Sequence, residues 1–524
     1  MGVLFDECAR RGVATTVRLD RPFDIAPDGG ASWSVPELAE LVRTAAGWLA
    51  AAGAGRGDLV AIAKDNHWDY DLLACAAVRI GAVPAQLSAE LPTTALEQLL
   101  KRLDARVLVT TSGLVRRCAE QGLDLVSAAR TALLLDGSAP GAVALDEVRN
   151  SAAPAPKLRP DDDPLVVHHT SGTTGVPKLV VHSTRTIIGQ LARFECTRLP
   201  KIGVRPDDVV ANASSYAHGR TFCWTAVALS TAPRDLVVLS GHDPDRADPV
   251  LRAHPPTIVE ALPAAYVRFR QLTGRLDNPF RRVRLYISTY DAVHPPTIRA
   301  FLNASAHRSP LWMQGWGQTE TGPLTFRFHT RRSLTGVRGS TARNLGWPVP
   351  GRTRLRVVDP DTFEPVPRGR PGLVFVRTAA RCQDYRGESE RWDAKRVGPW
   401  WNTGDLGVHH RDGHLTLLDR EVDRSPRLSC LRTEDLLEDR MPSALECVVL
   451  ARPGERPLPV VVTPDGALPS GAWRRAVRGL PPMREPVVLT WEQVPRTGTG
   501  KVRRSQLLER LTGSAETSGS GRWT

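Results

Sequence analysis

Apolar residues recur at helical spacing over residues 35–52 (Leu38, Leu41, Val42, Ala45, Trp48, Leu49), and Gly53 follows as a stop. An apolar run at 58–63 then reads as a buried strand, 68–80 as a helix ended by Gly81, and 106–110 as another strand. Strands separated by helices of this length predict a layered α/β fold. The alternation resumes between 208 and 317, with strand candidates at 209–210, 236–239, 257–260, 283–288 and 311–314. Between 351 and 418 the helical spacing fades. Gly, Pro and short β runs take over there, with a turn at Arg411-Asp412-Gly413, and predict a small β subdomain. Beyond about 424 a compact α+β segment follows, then a Ser- and Gly-rich tail at 512–524 expected to be disordered.

At 524 residues the chain is too long for one ordinary core, so more than one domain is expected. No run of 18 or more apolar residues suggests a membrane span, and residues 1–7 carry no basic region followed by an apolar stretch, so a cytoplasmic location is expected. The eight cysteines are scattered without a Cys-x-x-Cys pair, which argues against a zinc site or a disulfide framework. A formal charge of +13 favours anionic partners, yet the charge is not gathered into a basic stripe with interleaved aromatics, so nucleic acid is not expected. Only seven of the 69 basic residues are lysines, so a lysine inside a motif is informative.

The most telling segment is His168-His169-Thr170-Ser171-Gly172-Thr173-Thr174-Gly175-Val176-Pro177-Lys178, set between the apolar runs Pro164-Leu165-Val166-Val167 and Leu179-Val180-Val181. It reads as strand, tight loop, strand. Glycines let backbone N–H groups approach an oxyanion, hydroxyls add donors, and Lys178 adds a point charge suited to phosphate. It is not a Walker A loop, because two residues rather than four separate Gly172 and Gly175, and Leu179 follows the lysine. The string instead resembles the signature of the adenylate-forming superfamily, which includes acyl-CoA synthetases, coumarate–CoA ligase-like enzymes, luciferases and peptide-synthetase adenylation domains.

Three further strings follow in that superfamily's order. Gln314-Gly315-Trp316-Gly317-Gln318-Thr319-Glu320-Thr321-Gly322-Pro323 resembles its second core motif, most closely the coumarate–CoA ligase-like form. The resemblance implies that Trp316 stacks on adenine, Thr319 touches the α-phosphate and Glu320 holds Mg²⁺, with Gly315, Gly317 and Gln318 in the same nucleotide site. Asn402-Thr403-Gly404-Asp405-Leu406-Gly407 resembles the third motif, in which the Asp accepts hydrogen bonds from both ribose hydroxyls, and Arg420 matches the arginine that also meets the ribose. Pro495-Arg496-Thr497-Gly498-Thr499-Gly500-Lys501 resembles the loop whose lysine bridges the carboxylate and the α-phosphate.

The resemblance implies a large adenylation domain over 1–419, a hinge at 420–424 and a small mobile α+β lid over 425–511. It implies ATP and Mg²⁺ as cofactors, a small carboxylic acid as substrate, and acyl-AMP plus pyrophosphate as products. Transfer to a thiol would follow, with coenzyme A or the phosphopantetheine of a carrier protein as candidates. His218, in Ser214-Ser215-Tyr216-Ala217-His218-Gly219, stands where relatives place a histidine near the carboxylate, and packing is an equal alternative for it. The acid pocket is expected between His218 and Trp316, lined by Tyr216, Phe222, Tyr266 and Tyr290.

Two departures from the pattern bear on function. Relatives carry a small Gly/Ala loop against adenine where this chain has Thr289-Tyr290-Asp291-Ala292, so Tyr290 and Asp291 are expected to meet adenine or acyl group differently. A buried Asp291 would need a partner: the adenine amine, a substrate amino group or a nearby arginine. After Arg420, the hinge-like slot holds Val422, Pro426 stiffens the chain further along, and Ser429 or Cys430 replaces the glycine of the thiol tunnel. Other acceptors therefore stay open: an amine in place of the thiol, another oxyanion in place of the carboxylate, or a catalytically inactive nucleotide-binding regulator.

Overall fold

A capping box opens the helix predicted over residues 35–52. In the computed structural model, which describes residues 1–170, 176–334, 343–420, 430–452 and 454–513, the Ser34 hydroxyl accepts from the Glu37 N–H while Glu37 Oε2 accepts from the Ser34 N–H. Helix Val35–Ala51 runs from that box to Gly53, whose φ of 95° no β-carbon residue adopts easily. The expectations for residues 171–175, for 421–429 with Val422, Pro426 and Ser429, and for 514–524 lie outside the described residues.

Two units divide the chain: one comprises Met1–Glu260, Thr319–Gly322 and Ala379–Trp392, the other Ala261–Gln318, Pro323–Thr378 and Asp393–Thr524. In the first unit, the predicted alternation becomes an eight-stranded sheet. Strands Leu59–Lys64, Val83–Ser88, Val107–Thr110, Thr131–Leu134 and Pro164–His169 lie parallel in it. Leu179–Ser183 then returns antiparallel beside Pro164–His169, and the short strand Asp384–Tyr385 closes that edge. The loop at 170–178 thus leaves the carboxyl end of a parallel strand, where open α/β sheets bind ligands. A second group of strands in this unit, Val209–Ala213, Asp235–Val238 and Thr16–Leu19, is also parallel. Most of these strands are buried on both faces, whereas Thr16–Leu19 alternates between half-buried and buried positions.

The second unit carries the β-rich stretch foreseen for 351–418. Arg354–Val358, Pro371–Arg377, Trp400–His409 and Leu415–Arg420 pair antiparallel in that order. Leu285–Ser288 and Leu311–Gln318 pair in parallel, the latter four residues longer than its apolar run predicts. The C-terminal α+β segment is a three-stranded sheet, Glu446–Leu450, Leu458–Val462 and Val487–Leu489, with helices Cys430–Arg440 and Arg504–Thr512 packed on it. The sequence pattern gave no sign that helix Cys430–Arg440 presents a buried acidic face. Glu434 accepts from Arg504 and from the Val449 N–H, and Glu438 accepts from the Cys447 N–H.

His294, just before helix Pro295–Ala304, meets that face with Nδ1 2.6 Å from Asp435 and Nε2 3.5 Å from Glu438. Burial alone would push its pKa down, but the Glu438, Asp435 and Glu434 carboxylates outweigh burial and raise it to about 10. A raised histidine pKa contributes stability that is complete below the unfolded value of about 6.5 and is lost as pH rises through the folded value. His294→Asn is therefore expected to cost about 3 kcal/mol at pH 6, as when one partner of a buried ion pair is removed. In urea titrations the gap from wild type should shrink as pH approaches about 10; a gap independent of pH contradicts the charged assignment.

Candidate active site

In the first unit the hairpin Pro164–His169/Leu179–Ser183 sets the neck of the 170–178 loop. Thr170 N–H donates to the Lys178 carbonyl at 3.0 Å and the Lys178 N–H donates to Thr170 Oγ1 at 3.0 Å. Thr170, expected to face the nucleotide, therefore spends its hydroxyl closing the loop. Ser171, Gly172, Thr173, Thr174 and Gly175 lie outside the described residues.

Lys178, Thr319 and Glu320, far apart in sequence, are brought together. The Lys178 ammonium stands 3.5 Å from Glu320 Oε1, with the Glu320 side chain 6% exposed. Thr319 is held from behind: His182 Nε2–H donates to the Thr319 carbonyl at 2.8 Å, and its Nδ1 lies 3.1 Å from Thr186 Oγ1. Burial lowers the pKa of His182, which keeps the ring neutral with its proton on Nε2. Three flanking contacts come from a segment that carries no motif in the sequence. The Tyr385 hydroxyl donates to Glu320 Oε1 at 2.6 Å, the Cys382 N–H donates to the Glu320 carbonyl at 2.7 Å, and Lys178 Nζ lies 5.3 Å from the centre of the Tyr385 ring. Burial, reinforced by the Glu320 charge, holds the Tyr385 phenol well above its ordinary pKa, so it is a donor. No sequence signal short of the fold links positions 385 and 320.

Behind the loop, His169 Nδ1–H donates to the Thr170 carbonyl at 2.8 Å while Nε2 accepts from the Ser88 N–H. Burial lowers its pKa to about 4. His168 reaches Gln86, which is tied to the buried Asp71. Both members of the histidine pair are thus framework. His218, 4% exposed, stands at the N-cap position of helix Gly219–Thr231, its ring centre 4.4 Å from that of His169.

The second unit positions Trp316, Asp405 and Lys501. Trp316 is half-buried on strand Leu311–Gln318. Gln318, expected at the nucleotide, instead spans two strands: its amide donates to the Thr403 carbonyl at 2.6 Å and to Asp405 Oδ2 at 3.3 Å, and Trp401 Nε1–H donates to its oxygen. It orients the carboxylate. Arg420 pairs in register with Asp405, its side chain lying outside the described part. Gly315 backs the same strand, where a β-carbon would stand 3.1 Å from Thr289 and 3.2 Å from Phe326, and Gly317 is exposed. Lys501 closes a tight turn in which the Thr497 N–H donates to the Lys501 carbonyl and the Gly500 N–H to the Thr497 carbonyl. Gly500 has φ of 76°, and a β-carbon there would stand 2.3 Å from Ala264 Cβ, so only glycine lets the turn sit so close to helix Pro263–Phe269.

Two pocket expectations need correction. Asp291 is exposed and caps the Ala292 N–H, so it needs no buried partner. Tyr216, Phe222 and Tyr266 have no exposed surface. Tyr216 donates to the Asn212 carbonyl, and Tyr266 donates to the Ile287 carbonyl within a cluster with Trp312 and Phe301. Their aromatic bulk builds core rather than pocket wall. Tyr290 is half-buried and adopts φ of 78°, an unusual conformation for a non-glycine residue.

Among the described residues no cluster of three or more His, Cys, Asp or Glu could hold a metal. A single buried carboxylate, Glu320, fits Mg²⁺ only if phosphate oxygens complete the shell, which is the usual arrangement for a metal–nucleotide complex. No helix among the described residues is long and apolar enough to cross a membrane.

The architecture is that of adenylate-forming enzymes. The anthranilate CoA ligase AuaEII, solved with anthranoyl-AMP, superposes with a TM-score of 0.78 over 97% of this chain and 98% of its own, at 19% identity. The chain belongs to the AMP-binding enzyme family, which matches residues 6–385. It is 36% identical, over 98% of its length and 96% of the relative's, to a 3-amino-2-hydroxy-4-methoxybenzoate diazotase of Streptomyces cremeus. A 3-aminoavenalumate diazotase of a Streptomyces species is 25% identical over 93% of this chain and 91% of its own.

Gly322 ends the Thr319–Glu320 turn with φ of 65°, and a β-carbon there would meet Leu191 at 2.6 Å. Gly322→Ala is expected to cost about 1–3 kcal/mol through backbone strain and to raise the KM for ATP. Unchanged melting and unchanged KM contradict the close packing of this turn.

Proposed function

We propose that this protein is an ATP-dependent diazotase acting on an amino-substituted aromatic acid. The observation that carries this reading is the 36% identity to a diazotase along nearly the whole of both chains. Its chemistry suits an adenylating site. Nitrite is an oxyanion: one of its oxygens attacks the α-phosphorus of ATP, the bond to pyrophosphate breaks, and a nitrosyl–AMP anhydride forms. The aryl amine then attacks the nitrosyl nitrogen, the N–O bond breaks, AMP leaves with that oxygen, and the amine nitrogen gives up one proton to leave a nitrosamine. The nitrosamine takes up one proton and loses water to give the diazonium ion. None of the three steps needs an oxidant, and no thiol is consumed.

In this reading Lys178 and the loop 170–175 hold the outer phosphates, Thr319 the α-phosphate, and Asp405 with Arg420 the ribose. Trp316 stacks on adenine beside Tyr290 and Asp291, while Gly315, Gly317 and Gln318 shape that strand. Lys501 stabilises charge on the α-phosphate as the oxyanion attacks, a largely electrostatic contribution. His218 faces the organic substrate. Glu320 would hold Mg²⁺, which when bound neutralises charge building on the leaving pyrophosphate. A cytoplasmic location, where ATP is available, belongs to the same proposal.

The test is pyrophosphate release from ATP with nitrite, an aminohydroxybenzoate, or both, followed by trapping of the diazonium ion through azo coupling to a naphthol. Release that depends on nitrite, with an azo dye carrying ¹⁵N from labelled nitrite, is expected. Release that requires only the aromatic acid, with thioester formed on coenzyme A or a carrier protein, would instead establish the acid–thiol ligase. No release under any condition would leave a nucleotide-binding regulator. Lys501→Ala should lower the release rate by roughly 10²–10³, as for loss of one preorganised donor; near-normal release contradicts its role.

A further inference from the structure

The segment Ala379–Trp392 joins the first unit alongside Thr319–Gly322, although both are flanked in sequence by the second unit. Its anchoring does not depend on Glu320. Asp384 and Tyr385 pair with Val181 and Val180, the Gln383 and Arg386 N–H groups donate to the Val181 and Leu179 carbonyls, and Glu388 pairs with Arg102 at 2.7 Å. Arg102 also lies 3.5 Å from the carbonyl of Pro177, beside Lys178. Tyr385 is therefore fixed to the strand that leaves the oxyanion loop, fully buried, and its hydroxyl meets Glu320 Oε1 at 2.6 Å. The ammonium of Lys178 stands farther from the same oxygen, at 3.5 Å, beyond the usual length of a charge-assisted hydrogen bond.

We propose that Tyr385 is a positioning residue for adenylation: its hydroxyl holds the Glu320 carboxylate in the orientation that receives a nucleotide-bound metal and keeps Lys178 from pairing tightly with it. Without the phenol, the carboxylate turns onto Lys178. Each group then neutralises the other, and both metal and phosphate binding weaken. The proposal rests on the nucleotide-adenylating part of the reading above and not on which oxyanion is activated.

The test compares wild type, Tyr385→Phe, Glu320→Gln and the double variant for Mn²⁺ binding in the presence of α,β-methylene-ATP, followed by the electron paramagnetic resonance of free Mn²⁺. Tyr385→Phe is expected to weaken Mn²⁺ binding about tenfold, the scale of one hydrogen bond to a charged group. The Mg²⁺ concentration for half-maximal pyrophosphate release should rise by a similar factor, with the KM for the aromatic acid and the melting temperature unchanged. In the Glu320→Gln background the Phe substitution should have no further effect, because Tyr385 acts through Glu320. Unchanged Mn²⁺ affinity, an equal loss in both backgrounds, or a large fall in melting temperature would overturn the proposal. If the Mn²⁺ results hold but release ignores nitrite, only the diazotase assignment falls.

Discussion

A buried carboxylate cannot be left alone, and the arrangement of the first unit reflects how Glu320 is satisfied. Removing a carboxylate from water is costly unless it is paired and hydrogen-bonded. Here the carboxylate's partners come from two distant stretches, Lys178 at the end of loop 170–178 and Tyr385 on an edge strand, while the Cys382 N–H holds the Glu320 backbone carbonyl. Meeting that demand requires two short excursions of the chain, Thr319–Gly322 and Ala379–Trp392, to reach the first unit. It also requires a neutral His182 to carry the Thr319 carbonyl. The tightness of the turn at Gly322 comes from the same convergence.

Much of the fold was legible because it rests on local physics. The helix at Val35–Ala51 is announced by its 3.6-residue spacing and the glycine that follows it, and the parallel strands by their apolar runs. The hairpin Pro164–His169/Leu179–Ser183 was legible because its two apolar runs flank a stretch of small, hydroxylated residues. What escaped the sequence is tertiary. Tyr385 looks like any aromatic until the edge strand places it on Glu320. Gln318 sits inside a nucleotide motif yet orients Asp405. Tyr216, two residues before His218, and Tyr266 were expected at the acid pocket, but their hydroxyls find backbone carbonyls and their rings fill the core. Asp291 stays in solvent because the unusual backbone at Tyr290 is followed by an exposed cap rather than a buried loop.

In the proposed chemistry the same site residues would serve a carboxylate or nitrite, because the shared requirement is an oxygen nucleophile meeting the α-phosphorus. Specificity for the second step lies with the acceptor, and here the acceptor proposed is an aromatic amine. That change removes the need for a thiol tunnel, in keeping with the substituted hinge sequence after Arg420. The C-terminal segment still docks through a charged contact, His294 against Asp435 and Glu438.

In the proposed chemistry a substrate oxygen becomes bonded to the α-phosphorus of ATP. The most direct measurement supplies ¹⁸O-labelled nitrite with unlabelled ATP and an aminohydroxybenzoate, then reads the released AMP by mass spectrometry or ³¹P magnetic resonance. One ¹⁸O per AMP, on phosphorus, is the predicted result. Turnover that yields unlabelled AMP, or ADP and inorganic phosphate, would contradict this chemistry.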